Sequence, residues 1–140
     1  MMHRFAMICL LIGLAAPAAA AQSQAEVNAA LRGNAVIYNG LFAIAVADQV
    51  RRNCDSVDAR MVRAITFARS LERQARSLGF AEPQIRAFID SREEKDRMRA
   101  HVQRYFAEQG VREGVPETYC ALGRAEIARG TQAGALLRTR

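Results

Sequence analysis

The stretch NAVIYNGLFAIAVADQVRRN, residues 34–53, decides how this chain is built. Two readings compete for it. Asn39-Gly40 between apolar runs is a strong short-range signal for a two-residue β-hairpin turn. The flanks argue the other way, because they do not alternate apolar with polar as half-buried strands do. Ile37, Leu41, Ile44 and Ala45 fall at helical spacing, and Tyr38, Phe42 and Val46 line a second face. A helix that is apolar on most sides is a central, buried one. Gly40 costs such a helix about 1 kcal/mol relative to alanine, a cost that is offset if another helix packs tightly against the glycine. The helix is the preferred reading.

Working outward from that segment, the rest of the chain is also helical in character. Alanine, arginine, glutamine, leucine and glutamate dominate, and β-branched residues are scattered. A short leading helix over residues 24–32 is broken at Gly33. Asp55 or Ser56 is placed to cap the next helix, which runs to Leu78 with Val57, Met61, Ala64, Phe67, Ala68, Leu71, Ala75 and Leu78 on its inner stripe and Gly79 as its stop. Pro83 sits in the first turn of a short helix carrying Ile85, Phe88 and Ile89. Ser91 and Glu94 form a capping box that opens a helix to Gln109, with Met98, Val102, Tyr105 and Phe106 inward. Pro116 opens the last long helix, on which Cys120, Gly123 and Ile127 share a face; Gly130 ends it, Thr131 caps a final turn, and Leu136 and Leu137 dock on the bundle. The expected fold is all-α, with five to six helices in a compact bundle or orthogonal array.

The beginning of the chain has the parts of a secretory signal: Arg4 as the basic region, an apolar run of about a dozen residues, and Ala19-Ala20-Ala21 before a cut. The run is shorter than the roughly 20 apolar residues needed to span a bilayer. Residues 1–21 are therefore expected to be removed, by cleavage after Ala21 or, nearly as well, after Ala20. Residues 22–140 then form a single helical domain, periplasmic or secreted. Cys9 leaves with the signal. Of the three cysteines, Cys54 and Cys120 remain, and an even count in an oxidising compartment reads as a disulfide. A bond closing so long a loop is worth about 4 kcal/mol in the chain-entropy picture. It would staple the last long helix onto the central one. The alternative, a reactive thiol pair, lacks both a Cys-x-x-Cys and a histidine close in sequence.

The formal charge of +6 comes almost wholly from arginine, since Lys95 is the only lysine. Most arginines have an acidic neighbour at helical spacing: Asp48/Arg52, Glu72/Arg76, Glu82/Arg86, Glu93/Arg97, Arg104/Glu108 and Glu126/Arg129. The least compensated are Arg60, Arg63, Arg69, Arg73 and Arg76. Of these, Arg69, Arg73 and Arg76 form a candidate stripe for an anionic partner. Export argues against a nucleic-acid partner, and no later segment is long and apolar enough to cross a membrane.

Catalytic signals are thin. His101 is the one histidine after the signal, so zinc sites built on two or three histidines are excluded, as is haem attachment through Cys-x-x-Cys-His. No serine lies in a Gly-x-Ser-x-Gly elbow, the Glu-x-x-His spacing of di-iron bundles is missing, and no glycine-rich phosphate loop is present. Asp90, Glu93, Glu94 and Asp96 cluster where a helix dipole favours acids. No metal and no cofactor are expected.

The segments NGLFAIAVADQVRRNC, SREEKDRMR and YCALGRAEIARGTQAGALLR resemble a family of small exported alphaproteobacterial proteins described only as a domain of unknown function. The resemblance spans nearly all of the chain after the signal. It implies a periplasmic setting and assigns no catalytic or binding residue. Two functional readings follow. The first is a non-enzymatic interaction domain that binds a protein or the envelope surface. The second is a small-molecule or metal-handling protein, enzymatic or not, with a pocket near Cys120 and Asp48 and polar groups from Asn39, Asp48, His101 and Tyr119.

Overall fold

The computed structural model describes residues 21–140. The segment expected to be a signal, including Cys9, lies outside the described residues apart from Ala21. Seven helices run in the order α1 (Gln24–Gly33), α2 (Ala35–Asn53), α3 (Met61–Ser77), α4 (Glu82–Asp90), α5 (Arg92–Glu108), α6 (Pro116–Arg129) and α7 (Gln132–Ala135). The fold is mostly α-helical, as expected, with α7 a single turn.

Residues 34–53 are helix, so Asn39-Gly40 makes no hairpin. Asn34 caps α2 through its side chain, which accepts from the Ile37 amide at 3.1 Å. The glycine sits where another helix closes in: a Cβ on Gly40 would lie 2.6 Å from Leu71 Cδ2 of α3. The helix thus tolerates its glycine because α3 uses the space. α2 is the hub, in contact with α1, α3, α5, α6 and α7. Its first turns join Val27, Leu31, Ala75, Ile85 and Phe88 in a smaller core. Its later turns place Val46 and Val50 among Val102, Phe106, Leu122, Leu136 and Leu137 in a larger one.

The link between α2 and α3 departs from expectation. Asp55 and Ser56 do not cap a helix. Residues Val57–Ala59 are a short strand, β1, paired antiparallel with Leu137–Thr139, β2, in the register Val57–Thr139, Asp58–Arg138 and Ala59–Leu137. The ladder extends on both sides, with the Arg60 amide donating to the Leu136 carbonyl at 2.8 Å and the Arg140 amide to the Ser56 carbonyl at 3.0 Å. Val57 is buried, but as a strand residue and not on a helix stripe. α3 then starts at Met61 without a side-chain cap.

Other termini follow the local chemistry. Ser23 and Glu26 form a reciprocal capping box on α1. Ser91 accepts from the Glu94 amide at 3.3 Å, but the Glu94 carboxylate turns away to Arg32 on α1. Gly130 closes α6 in the left-handed conformation, at φ 63°. Thr131 caps α7 by accepting from the Gly134 amide at 3.0 Å. Five of the six charge pairs expected at helical spacing form. Arg104/Glu108 does not form, and it is the pair with the cation first, the less favourable orientation on a helix.

Candidate functional site

Cys54, just past the end of α2, is bonded to Cys120 in the second turn of α6. Both are buried in the larger core. The bond joins the central helix to the last long one, and neither sulfur is available as a thiol. Close by, Gly123 lets α6 approach α2, since a Cβ there would meet Val50 Cγ1 at 2.7 Å.

The polar groups expected around a pocket are not gathered in one place. Asn39 is exposed near the start of α2. Asp48 lies about 13 Å further along the same helix and on its opposite side, by helical geometry. There it pairs with Arg51 at 2.6 Å and Arg52 at 2.8 Å, half-exposed. His101 is half-buried and stacks on Phe42, with ring centres 4.4 Å apart, and on Tyr38. Its Nδ1 is buried and has no hydrogen-bond partner among the described residues. Tyr119 packs edge-on against Phe106 and lines an open groove of about 890 Å³ between α2 and α5, with Gln49, Asn53, Lys95 and Arg99 among its other walls. Asp48, Asn39 and His101 do not line that groove. Among the described residues no three His, Cys, Asp or Glu side chains gather closely enough to hold a metal ion.

Two carboxylates that spacing placed at a helix start and in a surface pair, Glu94 and Glu126, are buried. Glu126, 2% exposed on α6, accepts hydrogen bonds from the Tyr105 hydroxyl of α5, the Thr131 hydroxyl and the Arg129 guanidinium. Burial, then the hydrogen bond to Glu126 and the charge behind it, push the Tyr105 hydroxyl up to about 12. Glu94 pairs with Arg32 through one oxygen and leaves the other buried without a partner among the described residues. Both carboxylates tie helices together, and neither lines the groove beside Tyr119. An apolar groove of about 440 Å³ lies between α1, α2, α3 and α4, floored by Leu41, Leu71, Ile85 and Phe88.

The arginine stripe lies on the outward face of α3. Arg69 and Arg73 are exposed and form no ion pair among the described residues, whereas Arg76 is neutralised by Glu72 and Glu82 at 2.5 and 3.1 Å. The same outward face carries three apolar side chains in its first turns: Met61, Val62 and Ile65 are 52, 81 and 46% exposed. Met61 was expected on the inner stripe and is instead a surface residue. Spacings of three and four residues put Val62, Ile65, Arg69 and Arg73 on one line along the helix. Beside it, Arg60, Arg63 and Arg138 border a shallow depression of about 840 Å³ that includes Phe67 and Ser70. The Arg60 and Arg63 side chains donate to the Leu137 and Ala135 carbonyls at 3.0 and 3.3 Å and form no ion pair among the described residues. Unmatched arginine legible from spacing is thus joined to an apolar patch of which spacing had assigned Met61 to the core.

No curated protein and no solved structure matches the chain. The protein family that matches does so over residues 29–138, from the middle of α1 into β2, and so takes in the disulfide, the two-stranded ladder and the whole of α3. It is described as a family of unknown function (DUF5333), and the chain belongs to it.

Proposed function

We propose that this protein is an exported, non-enzymatic helical domain that binds an anionic partner through the outward face of α3. The observation that carries this is the combination on one face of exposed Met61, Val62 and Ile65 with Arg63, Arg69 and Arg73, none of them ion-paired among the described residues. Elsewhere on the surface, Arg51, Arg52, Arg86, Arg97 and Arg99 each meet a carboxylate, while Arg92, Arg104, Arg112 and Arg124 are exposed without an ion pair among the described residues, so what marks α3 is the joining of such arginines to three exposed apolar side chains on one helix. A solvated face needs neither protruding valine nor uncompensated charge, and both features suit a contact surface. The Cys54–Cys120 bond and the apolar leader support an oxidising, extracytoplasmic setting. In cells carrying a photoreactive residue in place of Val62, illumination should yield adducts that the same probe in place of Gln109 does not. No adduct at either position, or equal adducts at both, refutes the reading.

A second reading rests on the groove beside Tyr119, whose volume and mixed walls suit a small polar ligand. A ligand there would raise the melting temperature of the parent protein and not of Tyr119→Ala. A metabolite screen that shifts neither protein removes this reading.

A further inference from the structure

The chemistry of the α3 face narrows the kind of partner it takes. Resting on the reading above, we infer that α3 docks on an anionic phospholipid surface, with Met61, Val62 and Ile65 entering the headgroup layer and Arg63, Arg69 and Arg73 meeting lipid phosphates. The apolar side chains stand out from the first turns of the helix, Val62 most of all at 81% exposed. Side chains this exposed, at the rim of the shallow depression that Met61 and Val62 help to line, suit a partner that yields to them. A headgroup layer does so, while a folded protein must offer a matched pocket.

Charge fits the same occupant. Arg63, Arg69, Arg73 and Arg138 form no ion pair among the described residues, and residues 1–20 contain no Asp or Glu that could supply one. Guanidinium groups fork onto phosphate oxygens. The line from Val62 to Arg73 runs about 16 Å along the helix, apolar at its start and cationic further on. That order sets the helix obliquely, with its N-terminal end deeper. The contact is peripheral by length, since among the described residues no single helix is long and apolar enough to cross a membrane.

Cosedimentation of the purified protein with phosphatidylcholine vesicles, with and without phosphatidylglycerol, tests this. Binding should need the anionic lipid and weaken as salt is raised. Each arginine at an anionic surface is worth roughly a five-fold factor, so Arg69→Gln/Arg73→Gln should bind about 25-fold more weakly. Val62→Asp should bind at least about ten-fold more weakly by losing one apolar insertion. Its melting temperature should stay at or above the parent's, because an acid in the first turn of α3 favours the helix. No binding to anionic vesicles, equal binding to neutral ones, or unchanged affinity in the double variant overturns the inference. If vesicles fail while the Val62 probe still captures an acidic protein, the lipid assignment falls and the α3 surface stands. If both fail, neither stands.

Discussion

Gly134→Ala should be among the most damaging single-methyl changes in this protein. Gly134 lies in α7 against the end of α6, where an added Cβ would sit 2.0 Å from the Glu126 carbonyl oxygen, 2.3 Å from its carbon and 2.7 Å from the Ile127 nitrogen. Those atoms are backbone in a hydrogen-bonded helix, so no rotamer relieves the overlap. Ordinary contact begins near 3.4 Å, so α7 must withdraw by more than 1 Å or its turn must open. Either movement disturbs the Thr131 cap and lifts Ala133, Leu136 and Leu137 from the larger core, where they are almost fully buried. Overpacking typically costs about 1–3 kcal/mol. A backbone obstacle belongs at the top of that range, so about 3 kcal/mol is expected. For a domain of this size that is about 12 °C in melting temperature. Urea unfolding followed by circular dichroism, with the disulfide intact, reads it directly. Gly33→Ala is the matched control: nothing lies within 4 Å of its added Cβ, and it should be neutral or stabilise by about 0.5 kcal/mol. A loss below about 1 kcal/mol for Gly134→Ala would refute the close docking of α7 on α6.

Further outcomes follow from the disulfide and the buried carboxylates. Cys54→Ser/Cys120→Ser, which opens a loop closed across a separation of 66 residues, should lose about 4 kcal/mol. Mass spectrometry of the parent should find alkylation of these two cysteines only after reduction, and labelling of unreduced folded protein would contradict the bond. Arg32→Ala leaves Glu94 buried with neither oxygen paired and should cost about 2 kcal/mol. Arg32→Ala/Glu94→Leu should recover most of that, and failure to recover would show that the pair does not couple α1 to α5. Tyr105 has a hydroxyl raised to about 12 in the folded chain against an ordinary value of 10. The raised group is neutral when protonated, so its contribution is fully present below pH 10 and is lost between about pH 10 and pH 12. The ultraviolet phenolate titration should contain a late step from Tyr105, and Tyr105→Phe should remove that step along with its part of the alkaline loss of stability.

Features that depend on local spacing were legible in the sequence. The helical character of α2 followed from its two apolar faces, and its glycine implied a close neighbour, which Leu71 supplies. The cysteine pairing followed from an even count once the leader was set aside. The β1–β2 ladder was not legible, because three-residue strands far apart in the chain carry no periodicity of their own. Val57 fits a helix stripe and a strand equally well, and Asp55 and Ser56 imitate a cap. The buried carboxylates were hidden for a related reason: an acid near a helix start or beside an arginine is already explained by the dipole or by the pair. Glu94 does lie in the first turn of α5, and Glu126 does pair with Arg129, yet each is buried by a helix distant in sequence.

The α3 surface combines both situations. Extending the inner stripe back through Val57 placed Met61 in the core. The strand interrupts that phase: β1 holds Val57 against α6, and the helix starts afresh at Met61 with its first turn facing outward. The core therefore loses Met61, and the surface gains it beside Val62 and Ile65. The arginines read from missing partners shift as well. Arg76 drops out, because α4 brings Glu82 to it in addition to Glu72, and Arg138 joins from β2, which no helical spacing could have linked to α3. Arg138 thus reaches the border of the proposed contact only because the two-stranded ladder forms. Loosening that ladder, as Gly134→Ala should through Leu136 and Leu137, ought to weaken vesicle binding even where α3 stays helical. A variant with a disrupted ladder and undiminished vesicle binding would confine the contact to α3 alone.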